Sequence, residues 1–243
     1  MDPKHLDELV ELEDSYWWHV AKRDLVMSLL DKHFAPPGRI VEGGIGSARN
    51  LLEFQEAGYH VTGYDVMQES VDHARQRGLE DCHVHDLHQP WPLEKESTRA
   101  VVLLDVLEHL ADPVAVLKNA YEILEPGGGV VATVPAYKWL FGKWDEQLGH
   151  YRRYTANELR EHAEAAGFTV TWQNRWNSFT LPAALAVRTW SKVFPKEAES
   201  TPEFPRVSTG MNQALLTAAS VERSVMKRFG VPVGLSLVGV FTK

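Results

Sequence analysis

Residues 39–50 read "RIVEGGIGSARN". A short β-type run ends on the acid Glu42, turns through Gly43, Gly44 and Gly46, and enters a helical stretch. Ligands of open α/β sheets sit at such carboxyl ends of strands. The spacing narrows the ligand. A dinucleotide fingerprint read from Gly44 needs glycine at 49, where Arg49 stands, and a phosphate loop needs G-K-[ST], which is absent. What is present is acid-x-G-x-G-x-A, from Glu42 to Ala48.

Outward from this turn, strand-like and helix-like runs alternate. "HVTGYD" at 60–65, "CHVHD" at 82–86, "RAVVLLDV" at 99–106 and "VVATVP" at 130–135 read as strands. The third of these has no polar alternation before Asp105, as expected of a strand buried on both faces. Helices are expected at 47–57, 68–77 and 113–124, with Pro113 in the first turn of the last and "EPGGG" ending it. This order predicts a doubly wound, mostly parallel α/β sheet. "FTVTWQNRW" and "GLSLVGVFTK" add two late strands, making seven.

Residues 4–30 read as helical, stopped by "APPG", and form an N-terminal cap over 1–37. The core is expected over 38–174 and 234–243. Between lies 175–233, a helical insertion with an apolar segment, a Pro/Glu-rich linker at 195–205 and a helix near 211–229. Residues 136–154 read as a long functional loop, and Thr155 with Glu158 as a capping box opening the next helix.

The 243 residues suffice for a full core, and a net charge of −8, from 33 acids against 25 Lys and Arg, argues against nucleic acid as the main partner despite "HYRRY" at 150–154. Cys82 is the single cysteine, so neither an internal disulfide nor a multi-cysteine zinc site is expected. The acidic start lacks the order of a signal peptide and no apolar run approaches the ~20 residues of a spanning helix. A cytoplasmic protein is expected. No H-E-x-x-H and no tight ligand spacing occurs, so no metal is expected.

Four strand ends carry the candidate chemistry: the turn at Glu42, then Asp65, Asp86-Leu87 and Asp105. Asp65 follows Glu42 by twenty-three residues, where a carboxylate can accept both ribose hydroxyls. Asp86 can accept from an adenine amino group while Leu87 packs on the ring.

At these residues the chain resembles the class I S-adenosylmethionine-dependent methyltransferases. The stretch "VLLDVLEHLADPVAVLKNAYEILEPGGGVVATVP" is similar to the ubiquinone- and menaquinone-type branch. The resemblance covers about 38–174 and the last strand, and implies a Rossmann-like methyltransferase fold with S-adenosyl-L-methionine as cofactor. It implies cofactor contacts from Glu42, Gly44, Gly46, Asp65, Val66, Asp86, Leu87 and Asp105. The chain departs from the pattern at Glu42, Gly43, Ile45 and Ala48, where Asp, an apolar residue, Cys and Gly are usual.

Other residues carry two readings each. Tyr16, Trp18 and Arg23 resemble the N-terminal helix that closes over cofactor and acceptor, Trp18 and Arg23 toward the cofactor and Tyr16 toward the acceptor. Their bland reading is core. His109 and His150 are the histidines nearest the strand ends and are candidate bases; otherwise they line or cap. Tyr137, Trp144, Arg152, Arg153 and Trp176 are candidate acceptor contacts, the arginines for an anionic group or else paired with Glu. The aromatics Trp139, Phe141, Trp144, Trp172, Trp176, Phe179 and Trp190 suggest a greasy cavity. The expected function is methyl transfer to a small-molecule or lipid-like acceptor. The alternatives are a cofactor-binding partner protein without transfer and, more remotely, a nicotinamide oxidoreductase. The insertion is either an apolar lid or a packing face, the latter including a homodimer.

Overall fold

The computed structural model describes residues 3–193 and 205–243, with side chains over 6–187 and 205–243. Two helices, α1 (Pro3–Leu12) and α2 (Trp17–His33), precede the sheet. The expected single helical run over 4–30 is broken at 13–16, where no proline or glycine stands. The N–H groups of Ser15 and Tyr16 both donate to Leu12 O, and Arg23 donates to Glu13 O at 3.0 Å. The buried Glu13 carboxylate pairs with Arg77. Tertiary partners, not local breakers, end α1.

The chain then runs β1 (Arg39–Gly43), α3 (Arg49–Glu56), β2 (His60–Asp65), α4 (Gln68–Gln76), β3 (Cys82–Val84), β4 (Thr98–Leu104), α5 (Pro113–Ile123), β5 (Leu124–Pro135), α6 (Lys143–Gln147), α7 (Ala156–Ala165), β6 (Thr169–Trp176), α8 (Leu181–Val193), α9 (Thr209–Met226) and β7 (Ser236–Thr242). The seven strands form one sheet in the order β3-β2-β1-β4-β5-β7-β6. β1 to β5 pair in parallel, and β7 runs antiparallel between β5 and β6. Strand order reverses between β1 and β4, which sets the ligand crevice at their carboxyl ends.

Alternation along each strand feeds two cores. Ile40, Ala100, Val102 and Val131 face the layer of α2, α3 and α4, with Leu25, Leu29, Leu51 and Phe54. Val41, Val101, Leu103 and Val130 face α5 and α7, with Val116, Leu117 and Leu159. Burial on both faces is why β4 reads as an unbroken apolar run.

β5 begins directly after α5, earlier than expected. Its pairing jumps from Thr98↔Leu124 to Ala100↔Gly129, so "EPGGG" is an irregular excursion inside the ladder rather than a turn before it. The expected loop at 136–154 contains a 3-10 turn, Lys138–Leu140, and α6. It is an excursion closed at its base, because Ala136 and Tyr154 pair with one another. The capping box at Thr155 forms, with its hydroxyl accepting from Glu158 N at 3.2 Å.

The insertion's α9 packs on α2. Asn212 accepts from Trp17 N at 2.9 Å and donates to Ser15 O at 2.8 Å, and Arg223 pairs with Asp24 at 2.7 Å. Glu222, which interrupts the apolar face of α9, is buried and accepts from the N–H groups of Asn177 and Ser178 at 2.7 and 2.8 Å. It caps the end of β6, which ends at Trp176 as the reading of "FTVTWQNRW" has it. The linker at 195–205 lies outside the described residues except for Pro205, as does the side chain of Trp190. No helix among the described residues is long and apolar enough to cross a membrane.

Candidate active site

The Gly-rich turn is pinned to β2. Gly44 N donates to Tyr64 O at 2.7 Å, and Gly46 N donates to Asp65 Oδ2 at 3.1 Å. Gly44 has φ +74°, and a Cβ there would lie 2.7 Å from Val106 Cγ2. The departure at Gly43 also has a cause: a Cβ would lie 2.9 Å from Leu103 and 3.0 Å from Leu87, whose side chains fill that space. Ala48, in place of the usual third glycine, sits at φ +60° before α3, a conformation costing roughly 1–2 kcal/mol for a residue with a Cβ.

Glu42 is buried; its Oε1 accepts from Asn50 Nδ2 at 2.8 Å, and its Oε2 has no hydrogen-bond partner. Burial pushes its carboxyl up to about 8. Asp65, also buried, accepts from Gly46 N through Oδ2 and from Met67 N at 3.0 Å through Oδ1. Val66 is exposed, and Asp86, half-exposed, accepts from His88 N at 3.0 Å. Leu87 is a core residue whose carbonyl accepts from Trp91 Nε1.

One cavity of about 430 Å³ opens at the strand ends, within the size range of ligand pockets. Of the expected cofactor set, Trp18, Arg23, Glu42, Gly44, Gly46 and Asp105 line it, whereas Asp65, Val66, Asp86 and Leu87 stand beyond its walls. One face of α2 contributes Trp18, His19, Lys22 and Arg23, at i and i+4 spacing. Trp18 stacks on the buried Trp176 with ring centroids 4.8 Å apart, so Trp176 backs the wall instead of forming it. Burial, and after it the charge of Lys22, pulls the His19 imidazole down to about 3.

Lys22 Nζ lies 2.8 Å from Asp105 Oδ2. Asp105 has φ +54°, and its other oxygen accepts from the Thr133 hydroxyl at 3.1 Å. Burial pushes this carboxyl up, but Lys22 and Thr133 outweigh it and hold it below the ordinary carboxylate value.

The far wall comes from the 3-10 turn Leu107–His109 after β4 and from the 137–153 excursion. Glu108 is fully buried, and neither carboxylate oxygen has a hydrogen-bond partner. Burial, with the Asp105 charge, raises its carboxyl well above the usual range. The rings of His109 and His150 stand perpendicular, centroids 4.5 Å apart, and burial followed by His150 pulls His109 down to about 4. Asp145, fully buried, accepts from Arg153 Nε at 2.7 Å and Gly142 N at 3.0 Å, and its Oδ1 lies 3.2 Å from His150 Nδ1. Burial raises the Asp145 carboxyl, but His150 and Arg153 together hold it below its ordinary value. Tyr151 N donates to Glu108 O at 2.8 Å and ties the excursion to the turn.

Of the expected acceptor set, Trp144 and Arg153 line the cavity. Tyr16 is buried, with its hydroxyl donating to Pro205 O at 3.0 Å. Arg152 donates to Leu110 O and Ala111 O, and the Tyr137 hydroxyl accepts from Gly234 N at 3.3 Å. These are structural contacts away from the cavity. The expected aromatic cluster also divides: Trp139 is exposed, Trp172 and Phe179 pack on the core, and Trp144 alone of the cluster's described side chains lines the cavity.

Lys22, Glu108 and Asp145 were not foreseen. Lys22 had a signal, lying one turn after Trp18 on the same helix face. The donor atoms of Glu108, His109 and His150 lie within 4.8 Å of one another. Sequence spacing does not reveal this group, because the fold brings His150 to Glu108 and His109 from forty-one residues away.

Residues 16–173 match the family model for a methyltransferase domain. A Mycolicibacterium smegmatis protein named "Probable S-adenosylmethionine-dependent methyltransferase" is 29% identical over 161 residues, 65% of this chain and 61% of its own. The ubiquinone biosynthesis O-methyltransferase of Hahella chejuensis is 27% identical over 138 residues, 50% of this chain and 58% of its own. The chain thus spans about three fifths of the length of these relatives. A solved structure of a SAM-dependent methyltransferase from Thermotoga maritima shares the fold, with a TM-score of 0.64 at 19% identity over 99% of this chain and 95% of that one. With most of its length matched, the chain belongs to the methyltransferase domain family, among the class I S-adenosylmethionine-dependent methyltransferases that include the ubiquinone-type O-methyltransferases.

Proposed function

We propose that this protein methylates a small-molecule or lipid-like acceptor, using S-adenosylmethionine. One observation carries the reading: a single cavity is walled at one end by Glu42, Gly44 and Gly46, and at the other by His109, Trp144, His150 and Arg153. Cofactor and acceptor can therefore meet inside one enclosure. When bound, S-adenosylmethionine supplies a methyl group on a positively charged sulfur, reactive enough to need no covalent enzyme intermediate.

The residues fit that cofactor. The unpartnered Glu42 Oε2 at the cavity wall offers an acceptor to an ammonium group, whose charge would favour the ionised form that burial alone disfavours. The two Asp65 oxygens each accept one backbone N–H and keep capacity for ribose hydroxyls. Asp86 and Val66 lie exposed beyond the cavity walls, so the adenosine end of the cofactor would extend out of the cavity toward them. At the acceptor end, Asp145 is ionised and faces His150 Nδ1, so that nitrogen donates and Nε2 keeps its lone pair. His150 is then the side chain placed to take a proton from an acceptor hydroxyl, the orienting logic of a carboxylate-backed histidine. Arg153 and Trp144 bound the acceptor, and closure by α2 excludes water. Among the described residues α9 packs on α2 and lines none of the cavity, which favours the packing reading of 175–233 over the lid. The relatives named ubiquinone biosynthesis O-methyltransferases support an acceptor hydroxyl as the group methylated.

The test is calorimetry with S-adenosylhomocysteine and NAD, then incubation with deuteromethyl-labelled cofactor and a panel of phenols, catechols and amines read by mass spectrometry. Cofactor binding with label transferred to an acceptor is expected. Binding of NAD in place of the adenosyl ligand would overturn the reading; cofactor binding with no transfer across the panel would favour a partner protein.

A further inference from the structure

α9 packs on α2 through one side, which holds the buried Ala219, Glu222 and Met226. Beside that side Met211, Ala214, Ala218, Val221 and Val225 recur at alternating three- and four-residue steps, the spacing of a helix-pairing seam. All but the half-buried Ala218 are exposed, and so is Phe229, one turn beyond Val225. A solvated helix face ordinarily carries charge, yet Thr209 to Val221 contains none. The two charges that follow are already used. Glu222 is buried on the N–H groups of Asn177 and Ser178, and Arg223 pairs with Asp24.

α8 starts shortly after Ser178, next to Glu222. Its first seven residues, Leu181 to Val187, are all apolar, and none is buried. A helix that is apolar on every side is normally enclosed by something. The two ends of α9 differ in sign. Before its first turn, Arg206 lies 3.2 Å from Glu11 of α1, so the exposed acids Asp7 and Glu11 belong to this end. Past its last turn, Lys227 and Arg228 are exposed.

We infer that this face of α9, with the start of α8, docks on the same face of a second copy of the chain, the two α9 helices running antiparallel about a two-fold axis near Ala218. That orientation sets each basic end against the other copy's acidic end, and a two-fold axis makes one patch self-complementary. It also answers the net charge of −8 on each copy, since the repulsion is lowest along an uncharged seam with opposite charges at its ends. An interface core depleted of charge inside a polar rim has this composition. Ala214 and Ala218 at the middle of the seam let the helices approach closely. The inference does not rest on methyl transfer.

The experiment is sedimentation velocity on the full chain over a range of concentrations. A dimer is expected at tens of micromolar. Ala218→Glu and Val221→Lys should each weaken self-association at least tenfold while circular dichroism and thermal unfolding stay those of a folded protein. Should Ala218→Glu fail to fold, the exposed Val225→Lys tests the same seam. Lys227→Glu with Arg228→Glu should weaken the dimer, and adding Asp7→Lys with Glu11→Lys should restore it, because the antiparallel order brings those two ends together. A monomer at every concentration, equal dimerisation of wild type and seam variants, or charge reversal without rescue overturns the proposal. A wild type that stays monomeric but sediments with phosphatidylglycerol vesicles also overturns it and assigns the face to a lipid surface.

Discussion

Lys22 of α2 and Asp105 at the end of β4 both line the cavity, and the Lys22 ammonium lies 2.8 Å from Asp105 Oδ2. This ion pair joins the N-terminal cap to the strand end where the sheet order reverses. It also holds Asp105 in a left-handed conformation, φ +54°, that few aspartates adopt.

Lys22→Met is expected to destabilise the protein by about 1–3 kcal/mol at neutral pH, because it strands a partly buried carboxylate. Asp105 has a carboxyl held below its ordinary 3.8, so the stabilisation is present above that value and lost as pH falls through the lower folded one. The gap between wild type and variant should therefore close in acid. Urea unfolding at several pH values measures it. A double-mutant cycle with Asp105→Asn showing strict additivity would mean that the pair contributes nothing.

Glu42 has the opposite sign. Its folded carboxyl sits near 8 against an ordinary 4.5, so the native state keeps a proton that the unfolded chain has released. Stability should fall as pH rises through that window, by up to about 1.4 kcal/mol per pH unit, and level off above it. Glu42→Gln is expected to remove this slope and to gain on wild type between pH 5 and 8. The same variant should bind S-adenosylmethionine more weakly. Parallel stability profiles for the two proteins would place the Glu42 titration elsewhere.

Asp65→Ala loses two bonds to backbone N–H groups as well as the proposed ribose contacts. Cofactor affinity should fall by ~1.5–3 kcal/mol per charge-assisted bond at most. The fold should persist, since the residue sits at a strand end outside both apolar cores. Calorimetry on the folded variant decides; an unchanged dissociation constant would remove Asp65 from the site.

Glu222→Gln keeps the shape of the α9 side chain but discharges the carboxylate that accepts from Asn177 N and Ser178 N. A loss of about 1–2 kcal/mol is expected, with faster hydrogen exchange across 176–180 and α9. Exchange that quickens in neither segment would show that the helix is held by its other contacts to α2.

Much of this protein was legible along the chain, for local reasons. Alternating strands and helices specify a parallel sheet because only crossovers join parallel strands. The unbroken β4 run reports burial on both faces, and Glu42, Gly44, Gly46 and Ala48 mark a turn through their spacing and backbone needs. The capping box at Thr155 acts over three residues, so it is visible as a short pattern. Other features depend on contacts distant in sequence. The break between α1 and α2 rests on Arg77 and Arg23 meeting Glu13, and the tolerance of Gly43 rests on Leu87 and Leu103 filling its space. Likewise, Arg152 and Arg153 are neighbours in "HYRRY", but one turns to the carbonyls of Leu110 and Ala111 and the other to Asp145. Lys22 with Asp105, and Glu108 with His109 and His150, meet only once the cap and the 137–153 excursion close on the strand ends. Turns and strand periods are set by the geometry of a few bonded residues, whereas a buried polar site is set by which distant side chains the finished packing leaves facing one another.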